Sequence, residues 1–325
     1  MLSLARTADE LGFTRYWLAE HHNMPAVGST NPPVLASMVA SATDRIRVGS
    51  GGVMLPNHAP LVVAEQFALL EAAFPGRIDL GIGRAPGTDP VTSWALRHGA
   101  GGVTDEAVTR FPEYVDNVIA MMDAAGVGLS VGGRMHELRA TPRASSVPVI
   151  WLLGSSDYSA RLAAEKGLPY VFAHHFSGSG TAEALRLYRE SFKPSPELAE
   201  PLTFLTVNAS VAETAEEAER RAKPQLLTML RLRTGATLGP QPSIEDAEKA
   251  WGDIPDFHLP IVDGMREKWV IGSPDEAAAK VRALADQLGV DEVMIQPVSG
   301  TYEGSDPRTS PTREETLRLL AGALL

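Results

Sequence analysis

The 325-residue sequence predicts an α/β fold, a TIM-type (β/α)8 barrel with one strand fewer than the full set. Three observations predict it. Helix-period stretches alternate with short continuous apolar runs, the pattern of buried parallel strands covered by helices. The connections between them are mostly short. Polar residues, glycines and histidines collect at the C-terminal ends of successive apolar runs, where the working face of a barrel lies. Length alone admits two domains, but α/β barrels reach this size as one. The chain therefore reads as a single barrel domain over residues 1–325.

Element by element, Leu4, Ala8 and Leu11 share one helical face, Gly12 stops that helix, and residues 13–18 read as a strand. Residues 33–42 are helical and 46–53 form the next strand. A helix from Pro60 is stopped by Pro75-Gly76, and 78–82 follow as strand. After a looser Gly-rich stretch at 99–102, residues 113–125 are helical and 147–153 a buried strand. Residues 159–166 make a helix stopped by Gly167. The runs 170–173, 203–208 and 292–296 supply the remaining strands. From 193 to 269 a long excursion, broken by Pro194, Pro196, Pro201, Pro240 and Pro242, carries a charged helix at 214–233. It suits a lid, an oligomer arm or a solvated helix, and it lies mostly before the last strand.

That makes seven strands where eight close a barrel. The sequence opens inside what should be the helix after the first strand, with no capping residue ahead of Leu2. The expectation is that the first strand is missing from this chain. A start displaced from the true one accounts for this better than a real loss, because an unpaired gap exposes strand edges.

Composition narrows the function. Hydrophobic residues at 44% supply a large core, and a net charge of -11 without a basic block argues against nucleic acid or an anionic membrane as partner. Small-molecule chemistry remains. The absence of cysteine excludes disulfides, thiolate metal sites and a cysteine nucleophile. It is compatible with a reducing cytoplasm, the expected location. Arg6, Asp9 and Glu10 make the N-terminus unlike a signal peptide, and no apolar run reaches membrane-spanning length.

The strand ends present Glu20-His21-His22, Gly51-Gly52 with Asn57-His58, Gly83-Arg84, Gly154-Ser155-Ser156, His174-His175, Asn208 and Gln296. Each alone is unremarkable; their recurrence at one end marks a site. At Gly154-Ser-Ser-Asp-Tyr-Ser159 a strand turns through two serines into a helix. The free N–H groups and positive dipole there suit a phosphate, with hydroxyls from Ser155, Ser156 and Ser159. Ordinary N-capping by Ser155 or Ser156 explains the same pattern. Gly81-Ile-Gly-Arg-Ala-Pro-Gly87 matches a dinucleotide fingerprint only weakly, because Pro86 and the Gly-Thr-Asp-Pro that follows prevent an immediate helix. Arg84 can neutralise a phosphate or pair with Asp79 or Asp89. The histidine pairs raise a metal-dependent hydrolase as rival. Adjacent residues on an extended strand face opposite ways, however, so neither His21/His22 nor His174/His175 readily chelates one ion, and no metal site is expected.

Trp17-Leu-Ala-Glu-His-His22, Val48-Gly-Ser-Gly-Gly-Val-Met-Leu-Pro56, Pro75-Gly-Arg-Ile-Asp-Leu-Gly-Ile-Gly-Arg84 and Ala163-Ala-Glu-Lys-Gly-Leu-Pro169 resemble, in order, segments of the bacterial-luciferase-like flavin-dependent monooxygenases. Ile271-Gly-Ser-Pro-Asp-Glu276 and Gly289-Val-Asp-Glu-Val293 are similar too, so the resemblance covers nearly the whole chain. The single-chain, uncharacterised alkanal-monooxygenase-like branch is nearer than the light-emitting heterodimer. The resemblance implies a barrel that takes reduced FMN from a separate flavin reductase, uses O2 and a small organic substrate, and commonly forms a homodimer. It matches His21 to a histidine at the flavin's reactive edge, as proton donor or acceptor, which imidazole suits near neutral pH. Gly51 and Gly52 match a pair often joined by a non-prolyl cis peptide beneath the flavin ring, where glycine permits close approach. Ser156 and Ser159, with Ser155 beside them, match the phosphate end, and Arg84 a cofactor-side arginine. Trp94, Phe176, Met38 and Met54 are candidates for an apolar wall that keeps water out. Two alternatives stand beside the monooxygenase: hydride transfer with the deazaflavin F420 in the same barrel, and a flavin-binding protein without turnover.

Overall fold

The computed structural model describes residues 1–85, 87–97 and 106–325. Pro86 and the Gly-rich stretch at 99–102 lie outside the described residues. Among the described residues ten strands are present: β1 (Arg15–Leu18), β2 (Arg47–Met54), β3 (Ile78–Gly83), β4 (Val127–Val131), β5 (Arg134–Leu138), β6 (Val149–Gly154), β7 (Tyr170–Phe172), β8 (Leu205–Val211), β9 (Val270–Gly272) and β10 (Val293–Pro297). All seven strands expected from the apolar runs are among them.

Five strands form a parallel sheet in the order β1-β2-β3-β6-β7, and three form another in the order β10-β8-β9. A parallel bridge between Tyr170 and Thr203 links the two. The result is a curled parallel half-barrel with helices outside it. Among the described residues no strand pairs with the outer edge of β1 or of β10. Arg15 on β1 reaches across to Glu292, just ahead of β10, with Nε 2.5 Å from Oε1. Helix Leu2–Glu10 packs against helix Pro311–Leu324 on the same side.

The N-terminal ends of the strands are plugged. Asp79 is fully buried and accepts from Arg15 Nη1 at 2.8 Å, Arg47 Nη2 at 2.6 Å and Trp17 Nε1 at 2.9 Å. Above it Trp17, Trp151 and Phe204 meet edge to face at 5.0–5.5 Å, with the Arg15 guanidinium 4.9 Å from the Trp151 ring. Such contacts add to burial through the ring quadrupoles. Close packing of β2 on β3 requires glycine: a Cβ on Gly81 would lie 2.1 Å from the Ser50 carbonyl oxygen.

Three features depart from the sequence reading. The antiparallel hairpin β4–β5 was not foreseen, although Gly132-Gly133, both at positive φ, make the two-residue turn that favours one. Its strands are largely exposed and so lack an apolar run. Strand β9 is three residues long and too short for periodicity to show. His174–Ser177 is a helical turn rather than the end of a strand. The opposite-face argument therefore does not hold for His174 and His175. In the excursion, helix Ala215–Thr234 is joined by helices Ile244–Trp251 and Leu259–Lys268, which build a second apolar cluster around Leu226, Val262, Met265 and Trp269.

Candidate active site

Parallel register brings the C-terminal ends of β1, β2, β3, β6 and β7 to one rim. His21 lies three residues beyond β1, Gly51-Gly52 within the last half of β2, Arg84 directly after β3, Ser155 and Ser156 directly after β6, and His174-His175 beyond β7.

His21 is held by its backbone N–H to Ser29 O at 2.9 Å and by ring Nδ1 to Gly87 O at 3.0 Å. A carbonyl only accepts, so Nδ1 carries the proton and Nε2 of the neutral ring keeps a free lone pair. Thr206 lies 3.2 Å from Phe172 O as hydroxyl donor, and its oxygen accepts from His175 Nδ1 at 2.8 Å. His175 therefore also presents Nε2. Burial, reinforced by His174 and His21, holds the His175 ring down to about 4, so at neutral pH it is uncharged. Asn208 Nδ2 donates to the His175 carbonyl at 2.7 Å and fixes this turn.

Glu20 belongs to a different cluster from His21. Its side chain is 1% exposed. One oxygen is 2.7 Å from His58 Nε2 and 2.9 Å from His22 Nε2, and the other accepts from Met54 N–H at 3.0 Å. Burial pushes this carboxyl up, but the hydrogen bonds and charge of His58, then those of His22 and Met54, outweigh it and hold the group below its usual range. Sequence reading placed Glu20, His22 and His58 at strand ends without joining them. Their 38-residue separation hides the contact, which only the β1–β2 register creates.

The Gly51–Gly52 peptide is cis. A Cβ on Gly52 would lie 2.3 Å from Leu153 Cδ1 and 2.7 Å from Gly81 O, and one on Gly51 would lie 3.2 Å from Trp17. At the end of β6, Gly154 packs on Ser159, whose hydroxyl donates to Ser156 O at 2.9 Å and lies 3.4 Å from Tyr170 OH. Ser156 is the N-cap residue of helix Asp157–Lys166, yet its side chain makes no capping bond, and Ser155 and Ser156 are both exposed. Capping thus does not account for the two serines. Arg84 pairs with neither Asp79 nor Asp89. Asp79 belongs to the plug, and Asp89 caps helix Pro90–Leu96 through Val91 and Thr92 N–H. Instead the Arg84 guanidinium stacks 3.9 Å over the Tyr158 ring in the first turn of helix Asp157–Lys166. A cation and open N–H groups thus converge on one helix start, a donor set suited to phosphate.

Of the wall candidates, Trp94, Phe176 and Met38 are about half exposed, while Met54 packs beneath Gly83 and Gly87. Among the described residues no group of three or more His, Asp or Glu is arranged to hold a metal ion, and no helix is long and apolar enough to cross a membrane.

Fold and rim together define an α/β protein of the barrel type, with a histidine-bearing rim and a helix start beside which Arg84 stands. The luciferase-like monooxygenase family profile matches residues 1–292, and the chain belongs to that family. It is 42% identical over 305 residues to the uncharacterised protein YvbT of Bacillus subtilis, covering 94% of this chain and 86% of that one. It is 38% identical over 294 residues to a luciferase-like monooxygenase of Escherichia coli K12, covering 90% and 84%. The crystal structure of apo-MsnO8 superposes with a TM-score of 0.82 at 34% identity, covering 99% of this chain and 91% of that one. The fold is shared at lower identity by two cofactor-bearing structures. One is the oxygenating constituent of 3,6-diketocamphane monooxygenase from Pseudomonas putida with FMN (TM-score 0.69, 20% identity, 99% and 91% coverage). The other is an F420-dependent secondary alcohol dehydrogenase with an F420-acetone adduct (TM-score 0.70, 14% identity, 100% and 94% coverage).

Proposed function

We propose that this chain is the oxygenating component of a two-component monooxygenase, a single barrel domain that takes reduced FMN from a separate reductase in the cytoplasm and works as a homodimer. The observation that carries the function is the joint presence, at one rim, of His21 with a free Nε2 and of the uncapped helix start beside Arg84.

Ser155, Ser156, the backbone N–H of Ser159 and Arg84 would hold the flavin phosphate, and Gly51-Gly52 would let the ring approach β2. When bound, reduced flavin supplies the electrons by which one atom of O2 enters a small organic substrate and the other leaves as water. His21 Nε2 would accept or return a proton at the reacting edge, and Gly87 O sets its tautomer. His175 would stay neutral beside it, adding no charge that draws in water.

Anaerobic fluorescence titration of the chain with reduced FMN, oxidised FMN and reduced F420 tests the cofactor assignment. Selective binding of reduced FMN is the expected result; preference for F420 assigns the barrel to hydride transfer. His21→Ala should abolish oxygenation while FMN affinity changes only a few-fold. Unaltered product formation would remove His21 from its role, and a wild-type chain that binds FMN without turnover would be a flavin carrier.

A further inference from the structure

A cleft of about 210 Å³ opens between the His174–Ser177 turn and helix Leu259–Lys268. Phe176, Ile261, Met265 and Trp269 supply the apolar part of its lining, and Arg233, Lys268, His174 and His175 the polar part. Among the described residues no acidic side chain lines it, although the chain carries 40 acidic against 29 basic residues. Arg233, in the last turn of helix Ala215–Thr234, spends one nitrogen on Phe176 O at 2.8 Å. Neither Arg233 nor Lys268 has a carboxylate partner among the described residues. Lys268 is seated by Gly178, where a Cβ would lie 2.4 Å from its Cδ. His174 adds a buried Nε2 without a hydrogen-bond partner. His175 lines the same cleft, and it follows β7 at the rim where His21 follows β1.

We propose that this cleft selects an anionic substrate, a compact organic carboxylic acid whose carboxylate sits between Arg233 and Lys268 and whose apolar body lies along Phe176 and Trp269 beside His175. Two cations without a carboxylate partner beside apolar side chains in an acidic chain favour such a group over a neutral one, because a guanidinium and an ammonium bind a carboxylate through charge-assisted hydrogen bonds. The volume, below the ~300–1,000 Å³ of sites for drug-sized ligands, sets the compact size. The assignment of this acid as substrate rests on the monooxygenase reading; its binding does not.

Isothermal titration of the full chain with 3-phenylpropanoate and with 3-phenylpropan-1-ol tests the proposal in wild type, Arg233→Gln, Lys268→Gln and the double variant. The acid should bind at least tenfold more tightly than the alcohol in wild type, and added salt should reduce the difference. In the double variant the ratio should fall below twofold while alcohol affinity and thermal midpoint hold. An acid that binds no better than the alcohol, or a preference that survives in the double variant, overturns the proposal. Failure of the flavin reading would show separately, as absent FMN binding with the acid-to-alcohol ratio intact.

Discussion

Replacing Glu20 by glutamine tests how the rim is held. In the folded chain this carboxylate receives His58 at 2.7 Å, His22 at 2.9 Å and the Met54 N–H at 3.0 Å, and its side chain is 1% exposed. Glutamine keeps the shape and one acceptor but turns the other into a donor. If the amide nitrogen faces Met54, two N–H groups oppose each other; if it faces the histidines, they lose a charged acceptor. Hydrogen bonds to charged groups are worth about 1.5–3 kcal/mol against about 1 for neutral ones, and an unsatisfied buried donor costs about 1–3, so Glu20→Gln should destabilise by about 2–4 kcal/mol at pH 7. The sign with pH follows from the depressed carboxyl. Its contribution is complete above the ordinary value of 4.5 and is lost as pH falls through the lower folded value. Guanidinium unfolding of both proteins at neutral pH and at about pH 3.5 should show the gap narrowing in acid. A gap under about 0.5 kcal/mol at pH 7, within the range of an ordinary surface substitution, would refute the reasoning, as would one that does not change with pH.

Asp79→Asn leaves Arg15 and Arg47 facing a neutral group at the plugged end and should cost about 3–5 kcal/mol in equilibrium unfolding, since removing one partner strands buried charge. Gly81→Ala drives a Cβ to 2.1 Å from a backbone oxygen of β2, which no side-chain rotation relieves. A loss of at least about 1–3 kcal/mol by calorimetry is expected. For His175 the folded value of about 4 lies below the ordinary 6.5, so the unfolded chain takes up the proton first. Stability should therefore fall from about pH 6.5 down to about pH 4, by roughly 3 kcal/mol in total, and His175→Gln should remove that part of the slope. A wild-type stability curve identical to that of the variant across this window would show that His175 does not stay neutral in the folded protein.

The strands were legible because their apolar runs are continuous, as strands buried on both faces must be. Their common rim was legible because polar residues and glycines end each run. The β4–β5 hairpin escaped notice because a largely exposed ribbon carries no apolar signal, and its Gly132-Gly133 turn stood alone. The cleft at Arg233 and Lys268 was out of reach for another reason. These residues lie 35 apart in a charged excursion that reads as solvated, and they meet only where helices Ala215–Thr234 and Leu259–Lys268 pack beside the His174–Ser177 turn.

By itself the sequence determined the parallel α/β architecture, the family, and the rim to which polar residues, glycines and histidines are brought, because periodicity and strand-end residues are local properties written along the chain. Only the tertiary structure decided which groups at that rim touch. It gave Glu20 to His58 and His22 rather than to His21, and it stacked Arg84 on Tyr158 rather than pairing it with Asp79. It also turned the Nε2 atoms of His21 and His175 free by seating Nδ1 on Gly87 and Thr206. Those choices depend on register and on the loops beyond each strand, where distances of a few ångström between residues far apart in sequence select one hydrogen-bond partner over another.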